Sequence, residues 1–91
     1  MTDTPRVTPE QIDACIVKEQ YHRFAGTTLT VCALTLRNGY TVTGESASVT
    51  AAGFNAEIGR KIAREDARDK IWALEGYLLR EQLHRASPRT Y

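Results

Sequence analysis

Residues 27–46 read TTLTVCALTLRNGYTVTGES, and this stretch decides the fold. A run rich in Thr, Val and Leu precedes Asn38-Gly39, and a second β-prone run, YTVTGES, follows it. Asn-Gly between β-prone runs is the strongest short-range hairpin signal, because a type I′ turn needs positive φ at both central residues. A two-residue loop sets Thr35 opposite Val42, Ala33 opposite Gly44 and Val31 opposite Ser46. The other face then carries Cys32, Leu34 and Leu36 with Glu45 among them. Neither face of such a ribbon is cleanly polar. Two strands alone are marginal in water, so cover from helices, and from another subunit, is expected.

Upstream, Thr8-Pro9-Glu10-Gln11 is a helix start: a capping threonine, proline at the first helical position and a glutamine that can close a capping box. Ile12, Cys15 and Ile16 follow at helical spacing, which predicts a first helix over residues 9–21. Downstream, Ser48–Gly53 are small and turn-like. Asn55 can cap a long pattern in which Ile58, Ile62, Ala63, Ala67, Ile71, Leu74 and Leu78 keep one face apolar. A helix over 55–84 would run about 45 Å, longer than a compact chain of this size is wide. It therefore breaks near Trp72–Gly76, where glycine is costly, or reaches into a partner. The order predicts an α+β class: N-terminal helix, β-hairpin, then a long helix or helix pair.

The 91 residues make one domain, with residues 1–7 and 85–91 expected to be loose. Hydrophobic residues at 42% and charged residues at 25% describe a globular chain. No apolar run spans a membrane, and the first residues lack a signal-peptide pattern, so the expected compartment is the cytoplasm. Twelve basic against eleven acidic residues give a net charge of +1, which argues against a nucleic-acid coat. Cys15 and Cys32 have no metal-ligand or redox spacing and read as small buried apolar groups; no metal and no cofactor is expected.

Three constellations could carry chemistry. Arg60, Arg64 and Arg68 share a helix face beside Lys61, a row suited to phosphate oxygens. The same pattern is also that of a solvated face, with Glu57, Glu65, Asp66 and Asp69 as local partners. Glu45 and Ser46 point to opposite faces of their strand. A buried Glu45 would pair with an arginine of the long helix or take the polar edge of a ligand. Trp72 and Tyr77 fill a core or interface, or stack a base. No GxxxxGK[ST], GxGxxG or GxSxG stretch is present, so no enzyme is expected.

The runs TLTVCALTLRNGYTVTGESASV and FNAEIGRKIAREDARDKIWALEGYLL, between Phe24 and Leu83, resemble a family of small proteins encoded by tailed bacteriophages and prophages. The resemblance implies a phage accessory protein acting in a bacterial cytoplasm, and it carries no catalytic residue with it. An analogy with phage sponges, which hold cyclic nucleotides or NAD-derived signals between subunits, suggests a role. The leading expectation is a homo-oligomer that sequesters a small phosphorylated, nucleotide-type ligand. Arg60, Lys61, Arg64 and Arg68 would hold phosphates, Trp72 or Tyr77 the base, and Glu45 or Ser46 its polar edge. The alternative is a protein–protein module that binds and inhibits a host or defence protein.

Overall fold

The computed structural model describes residues 4–87. The order is α1 (Pro9–Cys15), β1 (Ile16–Arg23), β2 (Thr30–Leu36), β3 (Thr41–Ser46) and α2 (Ala56–Ala86). The strands form one antiparallel sheet in the order β1-β2-β3. The class is α+β, as expected, with one strand more than the sequence pattern shows.

That strand comes from the first predicted helix. The helix starts as read: the Thr8 side chain accepts from the Gln11 N–H, and the Gln11 side chain accepts from the Thr8 N–H. It ends at Cys15, not at residue 21. Ile16 is already extended, and residues 16–23 pair with β2. β-Branched Ile16 and Val17 favour the strand, and β2 would otherwise leave a second row of unpaired backbone groups. The pairing is irregular between Ile16 and Lys18.

The hairpin is present but its register differs by one residue. Leu34 faces Val42, Cys32 faces Gly44 and Val31 faces Glu45. The loop has three residues, Arg37-Asn38-Gly39: the Leu36 N–H donates to Tyr40 O, and the Gly39 N–H donates to Leu36 O, both at 2.8 Å. Only Gly39 of the loop has positive φ, at 90°, so the turn is not type I′. A one-residue slip exchanges faces. Glu45 therefore leaves the apolar face for the solvent face.

The inner face presents Thr30, Cys32, Leu34 and Leu36 from β2 with Val42 and Gly44 from β3, all buried. α2 lies across it on Gly59, Ala63, Ala67 and Ile71, an i, i+4 row of small residues closed by one isoleucine. Ile12 and Cys15 of α1 complete the core, and Val7, Ile16 and Trp72 pack on it. At Gly44 the helix backbone is so near that a Cβ would collide with Ala67 N and Ala63 O. Ile58 and Ile62, expected on the buried stripe, are exposed, because the small row lets the sheet approach on its own side of the helix. Among the described residues no helix lies on the outer sheet face.

α2 is one unbroken helix of 31 residues, capped by the Asn55 side chain accepting from the Ile58 N–H. Gly76 lies within it without a break. The molecule measures 55 × 26 × 23 Å with a radius of gyration of 17.0 Å, against about 12 Å for a compact chain of this length. The C-terminal turns of α2 extend past the sheet. Arg85 and Ala86, expected to be loose, are helical. Residues 1–3 and 88–91, also expected to be loose, lie outside the described residues.

Candidate functional site

The arginine row follows from helix periodicity, and the structure gives two of its members partners in the first third of the chain. The Arg64 Nε donates to Glu19 Oε2 at 3.2 Å, and the Arg68 Nε donates to Asp13 Oδ1 at 2.8 Å. Arg68 Nη2 also donates to the Pro9 carbonyl at 3.4 Å. The Arg68 hydrogen bond holds the Asp13 carboxyl below its ordinary value. A hydrogen bond from the Tyr21 hydroxyl, 2.7 Å away, and the Arg64 pair do the same for Glu19. Burial and the Glu19 contact push the Tyr21 hydroxyl up. This flank is a structural seam joining α2 to α1 and β1. None of the local acids named from sequence supplies these contacts. Arg60 and Lys61, at the exposed end of the row, make no ion pair among the described residues.

The other expected ligand residues are scattered. Glu45 is exposed on β3, and its backbone N–H donates to Asp66 Oδ2 at 2.9 Å. That contact satisfies one N–H on the free edge of β3; among the described residues the Glu45 side chain makes no ion pair with an arginine of α2, contrary to the pairing reading. Ser46 lines a small cavity of about 110 Å³ with Phe54, Ile58 and Ile62, at the start of α2. Trp72 continues the i, i+4 row from Arg68 and packs on the core. Tyr77 is 72% exposed near the other end of the helix. The eight residues do not form one pocket.

Two adjoining hollows lie where the β2–β3 turn and α1 meet α2. One, of about 350 Å³, is lined by Arg6, Gln11, Cys15, Arg37, Glu75 and Gln82 among others. The second, of about 320 Å³, is a groove of Leu36, Tyr40, Leu74, Tyr77 and Leu78, rimmed by Glu81. Both include Arg37 and Glu75, paired at 3.7 Å. The Arg37 N–H donates to the Cys15 carbonyl at 2.8 Å, which fixes the turn against the end of α1. Burial, then Glu75, pushes the Cys15 thiol up, and burial does the same for Cys32; both are free and stay protonated at neutral pH. Among the described residues no group of three His, Cys, Asp or Glu could hold a metal ion. Nor, among the described residues, is any helix long and apolar enough to cross a membrane.

Residues 7–83 match the Phage protein (N4 Gp49/phage Sf6 gene 66) family. The chain belongs to that family. The match extends beyond the Phe24–Leu83 resemblance to take in α1 and β1, the two elements that hold Arg64 and Arg68. Comparison with curated proteins gives no match, and neither does comparison with solved structures.

In this phage protein, sequence reasoning found Tyr77 but missed Tyr40, Leu74 and Leu78 as its neighbours on an open surface. The signal was present: Leu74, Tyr77 and Leu78 stand at i, i+3 and i+4, beyond the last alanine that meets the sheet. Their exposure depends on how far α2 overshoots its strands, which periodicity does not report.

Proposed function

We propose that this phage protein is a non-enzymatic accessory module of the bacterial cytoplasm. It works by holding another protein chain in the groove between α2 and the β2–β3 turn. One observation carries the reading: four large apolar residues, Tyr40 (57% exposed), Leu74, Tyr77 and Leu78, line one concave surface with no cover among the described residues. Exposed apolar patches with polar rims mark protein contact sites, and tyrosine is enriched in them. Binding that inhibits a host or defence protein is the role such a surface would serve during infection. The test uses immobilised wild-type protein and Tyr77→Glu in bacterial lysate supplied with free copies of the chain. A stoichiometric protein, including a further copy of the chain, should stay on wild type and be lost from the variant. Equal retention by both, or none by either, overturns the reading.

A second reading keeps the small phosphorylated ligand but moves it. Arg64 and Arg68 are engaged by carboxylates, whereas Arg6, Arg37, Gln11 and Gln82 converge on the hollow of about 350 Å³, a volume in the range of small-molecule sites. Two guanidiniums there could take a phosphate, with Arg37 exchanging Glu75 for it. Native mass spectrometry of protein purified from cells with active nucleotide-based defences tests this. Retained mass that disappears in Arg37→Ala supports it, and mass that persists in Arg37→Ala but disappears in Arg64→Gln returns the ligand to the arginine row.

A further inference from the structure

We propose that the occupant of the α2 groove is a second copy of this chain, with the two α2 helices packed antiparallel about a twofold axis at the level of Leu79, which sets His84 and Arg85 of each helix level with Glu75 of the other. This rests on the protein-contact reading and names its partner.

Three observations lead there. The surface holds a ridge and a hollow side by side: Tyr77 and Leu78 stand on α2, and the groove runs between them and Tyr40. An isologous contact needs one surface that carries both halves, because each copy must give what it receives.

The charges run in the matching sense. The last turn of α2 carries His84 and Arg85, while Glu75 and Glu81 sit around the groove one to three turns earlier. Antiparallel packing brings the basic end of each helix to the acidic middle of the other. Parallel packing would set like charges side by side. The Arg85–Glu81 contact within one helix, at 3.0 Å, is an exposed i, i+4 pair that can be exchanged at little cost.

The third observation is area and length. With Tyr77 72% and Tyr40 57% exposed, and the leucines added, the patch offers on the order of 400 Å² per copy. Two copies remove roughly 800 Å² of apolar surface, and the polar rim brings the total toward about 1,200 Å², the low end of stable interfaces. A helical end that overshoots its sheet is too short to be stable by itself in water. A partner helix supplies the missing packing, and the area predicts a concentration-dependent dimer.

Sedimentation velocity over a wide range of concentration tests this, on wild type, Tyr77→Glu, Leu78→Glu and Arg85→Glu, with circular dichroism on each to verify folding. Tyr77 is the most exposed of the groove's large apolar residues, so its replacement leaves the core alone. Wild type should dimerise as concentration rises. Tyr77→Glu and Leu78→Glu should remain monomeric with native spectra. Arg85→Glu should weaken the dimer by about tenfold, and added salt should weaken wild type in the same direction. A wild type that is monomeric throughout overturns the inference, while a lysate protein held through Tyr77 would still uphold the groove reading. A dimer indifferent to both Tyr77→Glu and Leu78→Glu overturns it by moving self-contact off the groove. A dimer strengthened by Arg85→Glu rejects the antiparallel arrangement.

Discussion

Two glycines with opposite surroundings show how much one atom decides. Gly44 sits where α2 crosses the sheet, and a Cβ there would meet the backbone of Ala63 and Ala67, including Ala67 Cα at 2.8 Å. Backbone cannot swing aside as a side chain can, so Gly44→Ala should cost about 3 kcal/mol in urea unfolding. Gly76 lies inside α2 with nothing within 4 Å of a new Cβ. Gly76→Ala should stabilise by about 0.5–1 kcal/mol, because alanine removes backbone freedom from the unfolded chain. If both changes are neutral, the placement of α2 on β3 is wrong. The acids of the arginine seam make a pH-dependent prediction. Asp13 and Glu19 lie below their ordinary values of 3.8 and 4.5 in the folded chain. Folded-state values below unfolded ones mean stability that is present above those values and lost as pH falls through the folded ones. The double variant Arg64→Gln, Arg68→Gln should therefore be less stable than wild type at pH 7, and the gap should narrow below about pH 4. A gap that stays constant down to pH 2 would show that the seam is held by something other than these ion pairs.

Among the elements, helix starts were the most legible, because their chemistry is local. Thr8 with Gln11 and Asn55 with Ile58 act as read. Asn55→Ala should cost about 1 kcal/mol in thermal or urea unfolding; no change would mean that the first turn of α2 is satisfied by other groups. The hairpin was legible in kind, since Asn-Gly admits both a two-residue loop and a three-residue loop ending in a left-handed glycine. Its register was readable only through packing. The observed pairing buries Val42 and Gly44, whereas the shifted one would turn Thr43 and Glu45 toward Ala63 and Ala67. β1 was not legible, for a different reason. As an edge strand it is exposed along nearly all its length, so it has no alternation to read, and Ile12, Cys15 and Ile16 imitate the helical period just before it. The arginine row was legible as a face but not as a site, because its partners, Asp13 and Glu19, lie 55 and 45 residues away. Distant pairing of this kind is decided by how the elements dock.

For the whole molecule the governing feature is the mismatch between a 31-residue helix and strands of six to eight residues. Amides between Gly59 and Ile71 lie over the sheet and should exchange slowly, whereas those beyond Leu79 should exchange quickly in dilute solution. Pairing through the groove predicts that protection beyond Leu79 rises with chain concentration while that over the sheet does not. Hydrogen exchange at two concentrations reads both at once. The order of the sheet has another consequence, for the route by which the chain reaches this state. Each strand pairs with its neighbour in sequence, and α2 docks on β3, which precedes it, so most pairings between elements join neighbours along the chain. The contact between Asp13 and Arg68 is different, because it joins the first element to the last. Short loops close early and the longest closes late. Asp13→Asn should leave the refolding rate almost unchanged and appear instead as faster unfolding, making α1 the latch that sets how long the folded molecule survives.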